Sequence, residues 1–151
     1  WGRPDMAPMK FTKKILNGSP INIYNHGKMC RDFTYIDDLA KALTLLLKCI
    51  PSNKSISKEI DSLSPAAPYR IVNIGNNSSI ELMHFIETLE ECLNKKAIKK
   101  FIKIQPGEIE TTLASTKLLQ LLTGFKPKTG LKTGIAKFVE WYLYYNKINI
   151  N

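Results

Sequence analysis

Arg31 and its neighbours are the part of this sequence best suited to chemistry. The run Tyr24-Asn25-His26-Gly27-Lys28-Met29-Cys30-Arg31-Asp32-Phe33-Thr34-Tyr35-Ile36-Asp37-Asp38 passes quickly through an extended stretch, a turn, one arginine and a helix start. Arginine carries a planar, permanently charged fork that matches phosphate oxygens. The apolar alternation after Arg31 suits a strand that would hold that fork steady. The chemistry implied is anion handling, and the most economical partner is a phosphate-bearing small molecule. An Arg-Asp step also forms local surface ion pairs, so pairing of Arg31 with Asp32 or Glu108 is the competing role. Tyr24 and Lys28 satisfy Y-x-x-x-K by count, but the spacing bridges a strand end and the Gly27 turn and gives them no shared helix face. Asp37 and Asp38 are adjacent and point apart, which fits helix-start residues rather than a carboxylate dyad. No catalytic residue is assigned in this chain.

The elements that must position these groups follow from pattern. Asp5 is expected to cap a helix with Pro8 in its first turn, where the missing N–H had no partner. Phe11, Ile15 and Leu16 give that helix an apolar face and Gly18 ends it. Ile21 to Tyr24 alternates as a short strand, and His26-Gly27 turns it. Asp37 is expected to cap a helix carrying Leu39, Leu43, Leu46, Leu47 and Ile50 on one side, with Pro51 as its stop. Residues 52–68, rich in Ser, Pro, Lys and Asn, read as one long loop, disordered in part and ordered near Pro65 to Tyr69. Arg70 to Ile74 reads as a buried strand. Ser78 and Glu81 form a capping box for a helix with Leu82, Phe85, Ile86, Leu89 and Leu93 in the core. Ala97 to Ile104 alternates as a half-wet strand leading into a Gln105-Pro106-Gly107-Glu108 turn. A short extended Thr112 to Ala114 comes next. Ser115 then caps a short helix closed by Gly124. Thr129 precedes a last helix with Ile135, Phe138, Val139, Tyr142 and Tyr145 inward. Trp141, Leu143 and Tyr144 lie off that face, so this helix is apolar nearly all round and lacks a cover.

Composition bounds the class. At 151 residues and 44% hydrophobic, the chain can bury one core. The net charge of +9 and pI of about 9.5 favour anionic ligands. The lysines are scattered and no zinc-finger or aromatic RNA-binding signature is present, so nucleic acid is not expected as a partner. Cys30, Cys49 and Cys92 are odd in number and widely spaced, which argues for free thiols in a reducing compartment and against a metal site. Without a signal peptide or a spanning apolar run, the expectation is a cytoplasmic protein with no membrane partner. The opening Trp1-Gly2-Arg3-Pro4-Asp5 lacks an initiator methionine and reads as a cut chain.

Five ordered pieces carry a family resemblance. They are Trp1-Gly2-Arg3-Pro4-Asp5-Met6-Ala7, then Ile23 to Lys28 with Arg31 to Asp38, then Ala67-Pro68-Tyr69-Arg70 with Asn73-Ile74-Gly75-Asn76-Asn77, then Gln105 to Glu108, and last Gly124-Phe125-Lys126-Pro127-Lys128-Thr129. Together they resemble the C-terminal half of the nucleotide-sugar epimerases of the extended short-chain dehydrogenase/reductase family, in the UDP-glucuronate 4-epimerase branch. The resemblance covers essentially the whole chain. It implies an α/β fold, a mixed α+β lobe of several helices around short strands without the Rossmann sheet. Residues 1–151 would be the nucleotide-sugar-binding C-terminal domain, and the NAD-binding Rossmann domain would be absent from this chain.

The family is an NAD-dependent isomerase. Its NAD⁺ oxidises the sugar at C4 and returns the hydride to the opposite face, chemistry that lies in the cofactor. It needs a glycine-rich pyrophosphate turn and a tyrosine acid/base with a lysine on one helix face. This chain carries neither, so no NAD is expected on it and the chain alone is expected to be inactive. A UDP-sugar and a missing N-terminal Rossmann half are the implied partners. Carried over by position, Arg31 matches the arginine that grips the diphosphate. Ile23 and Tyr24 run beside the uridine, with main-chain groups and the Tyr24 ring as contacts. Gln105 and Glu108 fall on the turn lining the nucleotide pocket, where many relatives have a basic residue and an aspartate; Glu108 keeps an acceptor for ribose hydroxyls. Arg3 would face the sugar carboxylate, against a structural pairing with Asp5. Lys10, Lys13 and Lys14 would flank the diphosphate or simply be solvated, His26 is an exposed turn residue, and Ser78 is a cap. A stand-alone nucleotide-sugar-binding remnant and a non-enzymatic basic interaction module are the alternatives.

Overall fold

The computed structural model describes residues 3–52 and 54–149, so Trp1 and Gly2 of the opening motif, and Asn53 of the long loop, lie outside the described residues. Five helices and four short strands follow in order: α1 (Ala7–Leu16), β1 (Ile21–Ile23), β2 (Cys30–Asp32), α2 (Ile36–Leu46), β3 (Ser79–Glu81), α3 (Leu82–Leu93), β4 (Lys99–Phe101), α4 (Lys117–Thr123) and α5 (Leu131–Tyr145). This is the mixed α/β lobe that the sequence implies. β1 pairs with β4 in parallel, Ile21 opposite Lys99, and β2 pairs with β3. The chain divides into two compact units. Unit 1 takes Trp1–Arg31, Ile80–Thr111 and Gly130–Asn151, and unit 2 takes Asp32–Ser79 and Thr112–Thr129.

Unit 1 is built on an apolar core. α3 packs against both α1 and α5, and Ile15, Ile21, Ile23, Phe85, Ile86, Leu89, Leu93, Ile135, Val139 and Tyr142 are buried. α1 ends as expected at Gly18, in the left-handed conformation, with Gly18 N–H bonded to the Ile15 carbonyl and Ser19 N–H to that of Lys14. Its start differs from expectation: Met6 occupies the cap position and Asp5 bonds Arg3 instead. α3 starts later than the Ser78–Glu81 box suggested, because residues 79–81 extend as β3 and Glu81 becomes the flanking residue. The strand after α3 is also shorter than expected and turns a lysine inward. Lys99 and Lys96 both bond the carboxylate of Glu90, whose side chain is 1% exposed and which also accepts Ala97 N–H. Burial pushes the Glu90 carboxyl up and these donors more than reverse it, leaving it below the usual range. On α5, Tyr144 and Tyr145 are exposed, the latter stacked on Trp141, so Tyr145 is not the inward residue the pattern suggested.

Unit 2 relies on carboxylates that collect backbone N–H groups. α2 packs against α4, and Ala42, Leu118 and Leu119 are buried. Tyr35 rather than Asp37 flanks the start of α2, and Asp38 in its first turn accepts the N–H groups of Lys128 and Thr129. Leu43, Leu47 and Ile50, expected in the core, are exposed. The segment 70–74, expected as a buried strand, belongs to no strand, and Ile71 is exposed. Within 52–68, Asp61 accepts the N–H groups of Ile56 and Leu63 and a two-pronged bond from Arg70, both side chains nearly fully buried. The Arg70 guanidinium holds the Asp61 carboxyl well below the usual range. α4 is flanked by Thr116, one residue later than the expected Ser115, and closes on left-handed Gly124 as expected.

Candidate functional site

All six residues singled out for substrate binding fall in unit 1. β1 and β4 run parallel, so their C-terminal ends share one side, the end of a parallel sheet where ligands bind in open α/β folds. From β1 the chain enters a tight 3-10 turn, Tyr24–Gly27, in which Asn25, His26 and Gly27 all have positive φ. A Cβ on Gly27 would lie 2.8 Å from Met83 Cγ, so a glycine is required there by conformation and by space. From β4 the chain continues to the Gln105–Glu108 turn, closed by Glu108 N–H on the Gln105 carbonyl, with Gly107 at φ +85 after Pro106. That is the residue pattern of a type II turn. Two backbone bonds tie the exits together: Ile102 N–H to the Ile23 carbonyl and His26 N–H to the Ile102 carbonyl.

Arg31 lies on β2, as the sequence suggested. Its Nη1 donates to the carbonyls of Cys30 at 2.8 Å and Glu110 at 3.0 Å, and Cys30 N–H also bonds the Glu110 carbonyl. Among the described residues Nε and Nη2 have no acceptor, and the alternative ion pairs with Asp32 or Glu108 do not form. Nη1 is therefore held by backbone carbonyls, while among the described residues the Nε and Nη2 donors meet no protein acceptor.

The remaining expectations fare differently. Ile23 is fully buried and its carbonyl is taken by Ile102, so its side chain offers nothing to a ligand. Tyr24 is half-buried at the head of the turn, Gln105 is exposed and Glu108 half-buried. Arg3 makes the exposed pair with Asp5, at 2.6 Å, which raises the Arg3 pKa and lowers that of Asp5. His26 is exposed as expected, and Ser78 donates its N–H to Asp32 rather than capping a helix.

Sequence reasoning missed Asp32. Within unit 2 its carboxylate accepts the N–H groups of Asn76, Asn77, Ser78 and Ala114, and its own N–H bonds Thr112 Oγ1. A Cβ on buried Gly75 would come within 2.9 Å of Asp32 Oδ2, so glycine lets this loop close on the carboxylate. A cavity of about 210 Å³ beside it, lined by Thr34, Ile74 and Leu113 among others, holds none of the six expected residues. The four donors lie 44 to 82 residues away in sequence, so the only local signal was an aspartate next to the arginine. Among the described residues no group of metal-ligating side chains forms, and no helix is long and apolar enough to cross a membrane.

Comparison with known proteins places the chain among epimerase-like sequences and folds. Residues 2–75 match the model of the NAD dependent epimerase/dehydratase family. The chain is 48% identical over 145 residues to a probable UDP-glucuronate 4-epimerase of Rhizobium meliloti, covering 94% of this chain and 42% of that protein. It is 46% identical to Protein CapI of Staphylococcus aureus, covering 97% and 45% respectively. A crystal structure of UDP-glucuronic acid 4-epimerase from Bacillus cereus, in complex with UDP-glucuronic acid and NAD, superposes with a TM-score of 0.72 at 29% identity, over 93% of this chain and 41% of that one. The chain thus spans less than half the length of the relatives it matches. The match to the NAD dependent epimerase/dehydratase family model falls on the segment that carries Arg31, and the likeness to epimerases in sequence and in fold extends over nearly all of this chain.

Proposed function

We propose that this chain is the C-terminal, nucleotide-sugar-binding part of an NAD-dependent 4-epimerase of the UDP-glucuronate or UDP-glucose type, working in the cytoplasm. Arg31 binds the diphosphate through Nε and Nη2. The Tyr24 ring lies along the uridine, with the main chain around Ile23 beside it, and Gln105 and Glu108 on their turn meet the ribose side. Arg3, once released from Asp5, faces the sugar carboxylate. NAD supplies hydride removal and return when bound, and it is held by polypeptide beyond these 151 residues, since the Y-x-x-x-K count here spans a turn and no glycine-rich pyrophosphate motif occurs. This chain orients the substrate and contributes no acid/base group, so alone it has no epimerase activity.

The observation that supports this reading best is the fixed half of the Arg31 fork, in a chain whose relatives include named UDP-glucuronate 4-epimerases. Calorimetry with UDP, UDP-glucose and UDP-glucuronate tests it. Arg31→Ala should weaken binding by about 1.5–3 kcal/mol, the range for hydrogen bonds to charged groups. Equal affinity of both proteins overturns the site.

A further inference from the structure

We propose that the outward edge of β4 receives an acidic segment of a partner polypeptide as an added strand. The proposal lies entirely within unit 1 and does not depend on the nucleotide-sugar reading.

The first observation is charge. Residues 6–30 contain four lysines and residues 92–107 contain five, and neither stretch contains an aspartate or a glutamate. The fold lays the two stretches side by side. β1 pairs with β4, Ile21 opposite Lys99 and Asn22 opposite Lys100, and Lys95 Nζ donates to the Leu16 carbonyl at 2.6 Å, which ties the end of α3 to the end of α1. Among the described residues the carboxylate bonded to these lysines is that of Glu90, which is buried and takes Lys96 and Lys99. The carbonyl ends of α1 and α3 add roughly half a negative charge each. These offset only a minor part of the positive charge, and Lys10, Lys13, Lys100 and Lys103 remain exposed.

A second, independent observation concerns the backbone. β4 belongs to a two-stranded sheet, so one of its edges is turned away from β1. The Ile98 carbonyl accepts Ile21 N–H, and Ile102 N–H donates to the Ile23 carbonyl. Alternate residues of a strand bond to alternate sides, so the N–H and C=O groups of Lys99 and Phe101 point the other way. Among the described residues no backbone group meets them there. Ile98, Phe101 and Ile104 along the same segment are 58%, 48% and 37% exposed. Open N–H and C=O groups beside exposed apolar side chains are a template for strand addition.

Charge and backbone together select the occupant. Lysines on an edge strand keep like edges apart, so a second copy of this chain, bringing the same lysines, is repelled. A strand that carries Asp or Glu is attracted by the same groups. An anionic lipid surface or a nucleic acid would answer the charge but brings no row of peptide N–H and C=O groups to pair with Lys99 and Phe101. An acidic peptide brings both.

The test is fluorescence anisotropy of a labelled eight-residue peptide alternating glutamate and valine, titrated with the whole chain in low salt, together with amide exchange. The expected result is saturable binding that protects the amides of Lys99 and Phe101. The double substitution Lys100→Glu with Lys103→Glu, at exposed positions, should weaken it at least tenfold with the circular dichroism unchanged, whereas Lys132→Gln on α5 should not. A peptide with glutamine in place of glutamate, and one N-methylated at alternate residues, should each bind at least tenfold more weakly. Absence of binding overturns the proposal, and so does wild-type affinity of the double variant. Equal affinity for the glutamine peptide shows an edge that does not select charge. Equal affinity for the N-methylated peptide, or binding of single-stranded DNA or phosphatidylserine vesicles that the double variant abolishes while the acidic peptide protects no β4 amide, shows a general polyanion surface; each of these results also overturns it.

Discussion

Unit 1 and unit 2 are stabilised by different physics. Unit 1 closes on interdigitated apolar side chains between α1, α3 and α5, and Glu90, the one buried carboxylate among its described residues, is an accessory that pins Lys99 into β4. Unit 2 has few apolar residues inside and several outside, and it is drawn together by Asp32 and Asp38, which gather N–H groups from distant parts of the chain, and by Asp61, which gathers those of nearby Ile56 and Leu63 and the Arg70 guanidinium. A hydrophobic core is tolerant of neighbours and complete in itself. A network of carboxylates on backbone fixes loop geometry while leaving apolar side chains such as Leu43, Leu47 and Ile50 on the outside.

The largest effect expected from this contrast is Leu89→Ala. Leu89 is fully buried, and truncation should cost about 3–5 kcal/mol, read as an earlier unfolding transition in the fluorescence of Trp141, which reports unit 1. Asp32→Ala should cost about 2–3 kcal/mol by stranding four N–H groups. Amide exchange should show that loss in residues 32–79 and 112–129, with the Trp141 transition little moved; an equal shift in both would erase the distinction between units. Acid should sharpen it further. The Asp38 and Asp61 carboxyls are lowered in the fold, so the unfolded chain takes up their protons more readily. Their stabilisation is complete above the ordinary carboxylate pKa of about 4 and is lost as pH falls below it. Protection of unit 2 amides should therefore fade before Trp141 becomes exposed. Asp5→Ala, which removes only the exposed pair with Arg3, should leave the unfolding midpoint unchanged.

What could be read from sequence tracks the same division. Local patterns announced the core face of α3, the Gly18 and Gly124 helix ends and the Gln105–Glu108 turn, because each depends on residues within one or two turns of one another. The Arg31 strand was legible for the same reason. The Ser78–Glu81 box misled because its two residues carry the capping pattern, yet residues 79–81 pair with β2 and delay the helix to Leu82. The face of α2 misled because its leucines lie on two sides and periodicity cannot say which one finds a partner. Asp32 was invisible as a hub since every donor it collects is at least 44 residues away. The Arg3 pairing with Asp5 was open from spacing alone, and the structure forms it through two bonds, at 3.1 and 2.6 Å.

The cap that ends α1 also bears on how the protein ages. Asn17-Gly18 is the dipeptide that in a loose chain cyclises most readily to a succinimide, with the glycine nitrogen attacking the asparagine side-chain carbonyl. Here that nitrogen has its proton committed to the Ile15 carbonyl, and the helical backbone of Asn17, at φ -81 and ψ 0, holds the attacking atom away from its target. Deamidation at this step thus waits for the end of the helix to fray, which makes the chemical lifetime of Asn17 a slow clock for local opening at one edge of unit 1.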